Sequence, residues 1–306
     1  MWPSESLNRA PFLYMVSIFL TGFFVLIANN SAKGEVLVIN GMNGVTINNR
    51  QFTNPEGHCI QILNSMNITI KENSIRNCSG EGIAMENSTN VAILSNQIEE
   101  VRTGVYAQTS TAIRVENNTF KNVKGPIPRG QFVQFNNVSG GGNRINSNRG
   151  VNVRGQSNPE DMINLFDSCG TALDPIQVIG NTLEGGGPSK SGGGITTGDY
   201  GGCYIRVKDN VLINPGNVGI AIAGGHDIEV LKNTVYSQQT DVSNVGISVW
   251  NVASPECHSH TVRDNMVQWI NKDGKKNPAW NSGTCGTVKG WDLNEWDLKV
   301  FLRPIE

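Results

Sequence analysis

The sequence predicts an all-β fold built from a stack of short, similar units. The chain of 306 residues contains 35 Gly and 38 Asn, and its formal net charge is −2. Both residue types disfavour helix interiors, so this composition argues against helical bundles and α/β enzymes. The small net charge gives no global argument for a nucleic-acid or anionic membrane partner. A repeated sequence unit is the second observation, and it determines how the strands are ordered.

The unit reads apolar, polar, apolar, then two more residues and an Asn. It occurs as NITIKENSI, NVAILSNQI, AIRVENNTF, PIQVIGNTL, YIRVKDNVL and DIEVLKNTV. The Asn positions, including two weaker copies, are Asn73, Asn96, Asn118, Asn148, Asn181, Asn210, Asn233 and Asn265. The shortest spacing, 22 residues, corresponds to one rung of a stack, and longer spacings indicate rungs with inserted loops. We expect each Asn to adopt a left-handed turn conformation.

A second strand precedes each unit by eight to thirteen residues. It alternates between inward apolar residues and outward small or polar ones, which is typical of strands exposed on one face. The predicted outward ladder is Gln61, Ala84, Tyr106, Gln134, Asn164, Thr196, Ala221 and Ser248. Stacked rungs would place like residues about 4.8 Å apart.

This pattern resembles the right-handed parallel β-helix of pectate lyases, polygalacturonases and many alginate lyases, over roughly residues 36 to 270. The resemblance implies a solenoid of about eight to nine rungs and an activity on carbohydrate. We expect one catalytic domain, residues 33–270, followed by a capping segment, residues 271–306, in which three Trp interrupt the repeat.

The N-terminus and the cysteines predict an extracellular protein, with the periplasm as an alternative. The apolar run 12–28 suits a secretory signal within residues 1–32, and an uncleaved anchor is the competing interpretation. After cleavage we expect a monomer without stable membrane association. Six cysteines fit an oxidising compartment. The repeat alignment favours Cys169–Cys203, and sequence proximity favours Cys59–Cys78 and Cys257–Cys285.

Candidate catalytic residues lie where the Asn of the upstream strand exit is interrupted. Across eight rungs this exit position holds Asn64, Asn87, Thr109, Asn137, Asp167, Asp199, Gly224 and Asn251. The two acids fall on consecutive rungs, so we expect them roughly 5 to 7 Å apart. Tyr200 follows Asp199 directly, and His226 is expected beside them on the next rung.

The acids have three interpretations. They could hold a hard cation such as Ca²⁺, the one cofactor that the sequence suggests. They could form an acid/base pair for glycoside hydrolysis. They could also be ordinary turn residues that replace Asn. Polygalacturonases are similar in carrying acids on two successive rungs and a His on the next. Here the second rung has Tyr200 in place of a second Asp, and no Arg-x-Lys pair follows.

A basic stretch points to an acidic polysaccharide as the partner. Residues 121–154 contain six basic residues and no Asp or Glu. Clustered cations would attract a uronate chain, whereas nucleic-acid binding would need more interleaved aromatic residues. The glycine-rich loop 184–194 is expected to bring Lys190 over the substrate. The predicted substrate-binding residues are Asn164, Arg149, Arg154, Arg129, Tyr106, Gln134 and Thr196.

The leading hypothesis is a polysaccharide lyase that cleaves alginate or pectate by β-elimination. Neutralisation of the uronate carboxylate would fall to Arg149, Arg154 or Asn164, or to a cation on the two acids. His226 or Tyr200 would be the base, and Tyr200 or Lys190 would protonate the leaving oxygen. A glycoside hydrolase, a C5-epimerase and a non-catalytic carbohydrate-binding protein of the same fold are the alternatives.

Overall fold

The computed structural model describes residues 14–16, 24–30 and 34–297. These residues form a right-handed parallel β-helix whose successive turns contribute one short strand to each of three faces. The strands of the first face are Gly34–Asn40, Ile60–Leu63, Ile83–Glu86, Val105–Gln108, Val133–Asn136, Ile163–Cys169, the start of Gly193–Lys208, Val218–Ile222, Val245–Val249 and Ala279–Asn281.

The other two faces complete each rung. The second face contains Thr46–Asn48, Met66–Lys71, Thr89–Leu94, Thr111–Glu116, Arg144–Asn146, Ile176–Ile179, the end of Gly193–Lys208, Gly225–Leu231, Cys257–His258 and Thr261–Arg263. The third contains Gln51–Asn54, Ser74–Cys78, Gln97–Glu99, Thr119–Lys121, Arg149–Val151, Thr182–Glu184, Val211–Ile213, Thr234–Ser237, Met266–Trp269 and Glu295–Trp296.

The register of the first face confirms the predicted ladders. The outward residues pair in the expected order from Gln61 to Ser248, and Trp280 extends the series by one rung. The inward Ile60, Ile83, Val105, Ile163 and Ile195 are fully buried. Each rung therefore contributes apolar side chains to one continuous core, and its outward residues form the surface of the first face.

The repeated Asn residues form a buried ladder, but they do not adopt the left-handed conformation that we expected. Each donates from Nδ2 to the Oδ1 of the next ladder Asn, as Asn73 does to Asn96 at 3.0 Å. The positive φ angle belongs to the preceding residue, for example Glu72 and Ser95. That turn directs the Asn side chain inward, where the buried backbone groups require hydrogen-bond partners. Asn294 ends the ladder as a further member.

The two ends of the solenoid differ from its middle. The strand Phe24–Asn30 pairs antiparallel with Gly34–Asn40. The strand Tyr14–Val16 pairs antiparallel with Phe24–Asn30. The remainder of the expected signal segment, 1–32, lies outside the described residues, so its cleavage stays a prediction. At the other end, a short 3₁₀ helix, Trp291–Leu293, precedes the last strand. Trp291 and Trp296 pack against the end of the core within the expected capping segment.

The three disulfides are Cys59–Cys78, Cys169–Cys203 and Cys257–Cys285, which confirms the pairing predicted from the sequence. The Cys169–Cys203 bond joins two residues that are register partners on consecutive rungs. Its Cα atoms lie 4.4 Å apart, a separation that stacked strands supply without adjustment. Within the described part of the chain, no helix could serve as a membrane span.

Candidate active site

A groove follows the outward ladder of the first face and contains three cavities that share lining residues. The N-terminal cavity, about 280 Å³, is lined by Gln61, Ala84 and Tyr106 among others. The central cavity, about 290 Å³, shares Arg129 with it. The C-terminal cavity, about 460 Å³, shares Glu160, Asp161 and Asp199 with the central one. Three acidic residues therefore lie where the two larger cavities meet.

Asp161 lies at the base of this acid cluster. Its Oδ1 accepts hydrogen bonds from Gly193 N at 2.7 Å and from Thr196 Oγ1 at 2.9 Å. Its Oδ2 accepts one from Asn164 Nδ2 at 2.7 Å. Burial raises the pKa of Asp161 to about 6, against the opposing effect of these three hydrogen bonds. The nearby charge of Glu160 also raises it.

Asp199 is linked to Asp161 through Asn164. The same Nδ2 of Asn164 also lies 3.3 Å from Asp199 Oδ2. Because one nitrogen contacts both carboxylates, at 2.7 and 3.3 Å, their Oδ2 atoms are at most about 6 Å apart. Burial raises the pKa of Asp199, and the hydrogen bond from Asn164 offsets this in part. Asp199 is half-buried and lines both cavities, so its carboxyl group is accessible to a ligand in either.

Glu160 completes the cluster and carries an unsatisfied oxygen. Its Oε1 accepts a hydrogen bond from Ser191 Oγ at 2.6 Å. Its Oε2 is buried and has no hydrogen-bond partner among the residues that the structure describes. A buried carboxylate oxygen without a partner costs free energy, so such an atom is informative about ligands or solvent. Glu160 lines the same two cavities as Asp161 and Asp199.

Asp167 and Asp199 are not register partners, as a constant residue count assumed, because the strand that carries Asp199 is bulged. Asn164 pairs with Thr196, but Phe166 pairs with Asp199 and Ser168 with Gly202. One extra residue is thus inserted on each side of Asp199. A bulge re-aims the side chains that follow it. Asp199 therefore leaves the strand-exit position that a constant residue count assigned to it.

Asp167 keeps the geometry of an ordinary turn residue. Its φ is 44°, and the equivalent Asn64, Asn87, Thr109 and Asn137 have φ between 47° and 55°. The side chain is exposed, and a Cβ on Gly201 would lie 3.3 Å from its Oδ1. The turn interpretation therefore fits Asp167. Asp167 and Asp199 are offset by one register position, and the paired-acid and Ca²⁺ interpretations of these two residues stay predictions.

Tyr200 and His226 lie in different places. Tyr200 is 58% exposed, and its ring packs on Phe166, which lines the central cavity, with centroids 5.0 Å apart. His226 lies on the second face as the register partner of Cys203. Its Nδ1 lies 2.8 Å from Asp227 Oδ2, and its ring stacks on His258 at 5.3 Å. The structure thus does not bring His226 beside the acids as expected, because its strand continues the second face.

Some of the predicted basic and polar residues line the groove, and others lie outside it. Tyr106, Gln134, Asn164 and Thr196 lie in the groove, as do Arg129 and Lys190. Arg149 lies in a strand of the third face, between Thr119 and Thr182, and is exposed there. Arg154 is exposed and contacts Asp241 at 2.8 Å. Arg149 and Arg154 were expected in the groove because their rungs are near, but each rung turns through three faces.

Charged groups of the N-terminal cavity form a separate constellation. Glu81 is buried and lies 2.6 Å from His58 Nδ1 and 3.4 Å from Arg129 Nε. Burial raises the pKa of Glu81, but the hydrogen bond and charge of His58, with the charge of Arg102, hold it below its usual value. The Arg129 guanidinium also lies 4.4 Å from the centre of the Tyr106 ring. This end of the groove thus combines cations with an aromatic hydroxyl.

Sequence reasoning missed Glu160, Asp161, Trp250 and Trp280. A usable signal was present for Asp161. Two residues before each inward reference residue, five successive rungs hold His58, Glu81, Thr103, Gln131 and Asp161, all able to hydrogen-bond. This strand-entry position borders the groove on the side opposite the strand exit. The bulge before Asp199, by contrast, leaves no signal in a residue count.

Among the residues that the structure describes, one group of three donor side chains has ligand atoms within 4.8 Å of one another: Cys257, His260 and Cys285. Its two cysteines form a disulfide, so they do not offer thiolate ligands. The Ca²⁺ interpretation of Asp167 and Asp199 therefore remains a prediction.

The comparisons with known proteins support the fold. Residues 25–164 match the family described as "Right handed beta helix region". The catalytic domain of a GH87 alpha-1,3-glucanase in complex with nigerose matches with a TM-score of 0.55 and 14% identity, covering 87% of this chain and 58% of that one. A variant of that domain in complex with tetrasaccharides matches with a TM-score of 0.53 at the same identity and coverage.

A mutant of DFA-IIIase from Arthrobacter chlorophenolicus A6 has a TM-score of 0.49 and 14% identity, over 87% of this chain and 57% of that chain. This chain therefore spans less than two thirds of the length of these solved structures. No curated protein matches the sequence.

Proposed function

We propose that this protein is a glycoside hydrolase that binds a polysaccharide along the groove of its first face. The observation that carries the proposal is the acid cluster. Asp161 and Asp199 contact one amide nitrogen, the pKa of each is raised by burial, and Glu160 adds a third carboxyl group. Glycoside hydrolysis generally requires two carboxyl groups that flank the bond and differ in protonation.

Asp199 is the general acid in this proposal. A general acid must hold its proton near the operating pH and must reach the leaving oxygen. Burial raises the pKa of Asp199, and the side chain is open to both cavities. Asn164, which hydrogen-bonds both Asp199 and Asp161, fixes the direction of the carboxyl group.

Glu160 is the base that activates water. Its buried Oε2 has no partner among the described residues, and the side chain lines both cavities, so a rotation of the carboxyl group would present this oxygen to a water molecule there. Asp161 acts as a positioning residue, because its oxygens already accept three hydrogen bonds from Asn164, Gly193 and Thr196. Its mutation would displace Asn164 and, through it, Asp199.

Fold-level similarity adds weaker support. The GH87 glucanase domain that shares the fold is described in complex with nigerose and with tetrasaccharides. One fold supports many activities, so this likeness raises the expectation of a carbohydrate ligand and does not identify the sugar. The three disulfides are consistent with action outside the cytosol, where polysaccharides are encountered.

The test is a panel of neutral and acidic polysaccharides incubated with the full chain. New reducing ends report hydrolysis, and absorbance of unsaturated uronate ends reports β-elimination. We expect reducing ends without unsaturated products, and their loss in Asp199→Asn and Glu160→Gln. Asp167→Asn, at an exposed turn, is the matched control and should keep its activity. Binding without turnover in the wild type would contradict the proposal.

A uronate lyase is the second candidate, and the N-terminal cavity favours it. Arg102, Arg129 and His58 could neutralise a uronate carboxylate there, and Tyr106 could transfer a proton. In this case the panel would yield unsaturated ends from alginate or pectate. Tyr106→Phe and His58→Ala would abolish them, whereas Asp199→Asn would have little effect.

A further inference from the structure

Two tryptophans form an exposed aromatic surface at the C-terminal end of the groove. Trp250 is 47% exposed and Trp280 is 45% exposed, and both line the C-terminal cavity. Their ring centroids lie 5.7 Å apart with an interplanar angle of 63°. Large aromatic side chains gain most from burial, so a contiguous exposed pair marks a surface that binds a ligand.

The pair lies in line with the acid cluster. Trp280 is the last member of the outward ladder and is the register partner of Ser248. Trp250 directly follows the strand Val245–Val249, which is two rungs beyond the strand that carries Asp199. With about 4.8 Å between rungs, the two tryptophans lie roughly 10 and 14 Å along the groove from that strand.

Small residues separate the acids from the tryptophans. Ala221 and Ser248 form the floor of the C-terminal cavity on the next two rungs, the second of which also carries Trp250, and Ala223 lies beside them. This absence of large side chains leaves an open cavity of about 460 Å³ that runs from the acids to the aromatic rings. A chain bound at the acids would therefore continue over this floor and meet the tryptophans.

The charge of the cavity restricts the ligand. Among the described residues that line it, the charged ones are Glu160, Asp161, Asp199 and Lys190. With Asp199 protonated, as a general acid must be, Glu160 and Asp161 still offset the single loop lysine, so the cavity presents no net positive charge that would attract a uronate chain. A pyranose ring, in contrast, presents an apolar C–H face that packs on an indole, while its hydroxyl groups can reach the polar Asn217 and Asn244 at the rim.

We propose that Trp250 and Trp280 form a subsite that stacks against uncharged pyranose residues of the bound polysaccharide. The inference rests on the proposed function for its place beside the cleavage site, and it assigns a neutral sugar to this end of the groove. Because stacking acts equally on the bound substrate and its transition state, the pair contributes to affinity rather than to the chemical step.

A second pair of tryptophans, Trp291 and Trp296, supplies a contrast within the same chain. Trp291 and Trp296 have ring centroids 5.0 Å apart, but they are partly buried and pack against the end of the core. Those two tryptophans have a structural explanation. Trp250 and Trp280 line a cavity instead, so we expect their replacement to change binding while leaving the fold intact.

The experiment measures binding in the full chain carrying Asp199→Asn, so that turnover does not obscure affinity. Affinity electrophoresis in gels that contain laminarin, dextran or galactomannan is compared with gels that contain alginate or polygalacturonate. We expect retardation by at least one neutral polysaccharide. Trp250→Ala and Trp280→Ala should each weaken it about tenfold, because one aromatic contact accounts for roughly that factor. Trp280→Phe should restore most of the retardation.

Leu173→Ala is the matched control, because Leu173 is almost fully exposed and does not line the cavity. Unchanged retardation of both Trp→Ala variants, or wild-type retardation only by the acidic polysaccharides, would overturn the subsite. The two proposals fail separately. Tryptophan-dependent binding by a chain that never hydrolyses the polysaccharide would leave the subsite and remove the hydrolase. Asp199-dependent hydrolysis with unaffected Trp→Ala variants would do the reverse.

Discussion

This solenoid contains two systems of polar side chains, an asparagine ladder and an acid cluster, and they differ in how completely their hydrogen-bonding groups are paired. The asparagine ladder repeats on each rung from Asn73 to Asn294, and its side chains hydrogen-bond to one another and to backbone carbonyls. The acid cluster occurs once, at a bulge. There the pKa values of Asp161 and Asp199 are raised by burial and Glu160 Oε2 lacks a partner. The regular system accounts for stability, and the irregular one points to function.

The largest expected effect belongs to the acid cluster. Asp199→Asn keeps the size of the side chain but removes its proton-donating carboxyl group. We expect kcat to fall by about 10³-fold, within the usual range for loss of a general acid. The free energy of unfolding should change by less than about 1 kcal/mol, because Asp199 has a single hydrogen bond in the cluster. Reducing-end assays and urea denaturation measure the two quantities.

A fall in kcat that is accompanied by a large loss of unfolding free energy would contradict the assignment of Asp199 to catalysis rather than to stability. The pH dependence of kcat/KM gives an independent criterion. A general acid must be protonated, so activity should decline as the pH rises through the raised pKa of Asp199.

The asparagine ladder should show the opposite behaviour. Asn181 donates to Ile145 O at 2.8 Å and accepts from the backbone N–H of Asn148 at 3.0 Å. Asn181→Ala would leave both buried backbone groups unpaired, so we expect about 3 kcal/mol of destabilisation. Chemical denaturation measures this change. Asn294→Ala, at the half-buried end of the same ladder, is the matched comparison and should cost about 1 kcal/mol. Equal costs at both positions would argue against burial as the cause.

Asp161 shares features with both polar systems. Like the ladder asparagines it is buried and hydrogen-bonded, and like Asp199 it has a raised pKa. Its folded-state pKa of about 6 lies above the ordinary value of 3.8, so between these pH values the folded protein binds more protons than the unfolded chain. The contribution of Asp161 to stability must therefore fall as the pH rises from about 4 to about 6. Two pH units correspond to a loss of about 3 kcal/mol from this one group.

Asp161→Asn should remove that component, so that across this window the unfolding free energy of the variant increases relative to that of the wild type as the pH rises. Thermal denaturation at a series of pH values measures the slope. Asp273→Asn, at an exposed loop position, is the control and should retain the wild-type slope. A variant with the same slope as the wild type would show that another group titrates.

Features that repeat were predictable from the sequence, and features that interrupt the repeat were not. Constant spacing gave the strands, the outward ladder and the Asn column. The left-handed turn was assigned one residue too late, since spacing alone does not tell which of two neighbours turns the chain. The site depended on a bulge that breaks the residue count. His226, Arg149 and Arg154 were misplaced because closeness along the chain was taken for a shared face.

Asp167 provides the smallest expected effect and the sharpest check on the contrast between the two polar systems. Its sequence position equals that of Asp199, yet its φ of 44° and its exposure match the Asn and Thr residues of the other turns. Asn adopts the left-handed region at least as readily as Asp. Asp167→Asn should therefore change the unfolding free energy by less than about 0.5 kcal/mol and leave kcat within twofold.

Denaturation and reducing-end assays, run beside Asp199→Asn, measure both quantities for Asp167→Asn. A loss of activity comparable to that of Asp199→Asn would restore the pairing expected from the residue count and would place the chemistry at the strand exit. Retained activity would instead assign the chemistry to the bulged rung, where Asn164 connects Asp199 to Asp161. The bulge, rather than the type of residue, would then distinguish a turn aspartate from a catalytic one.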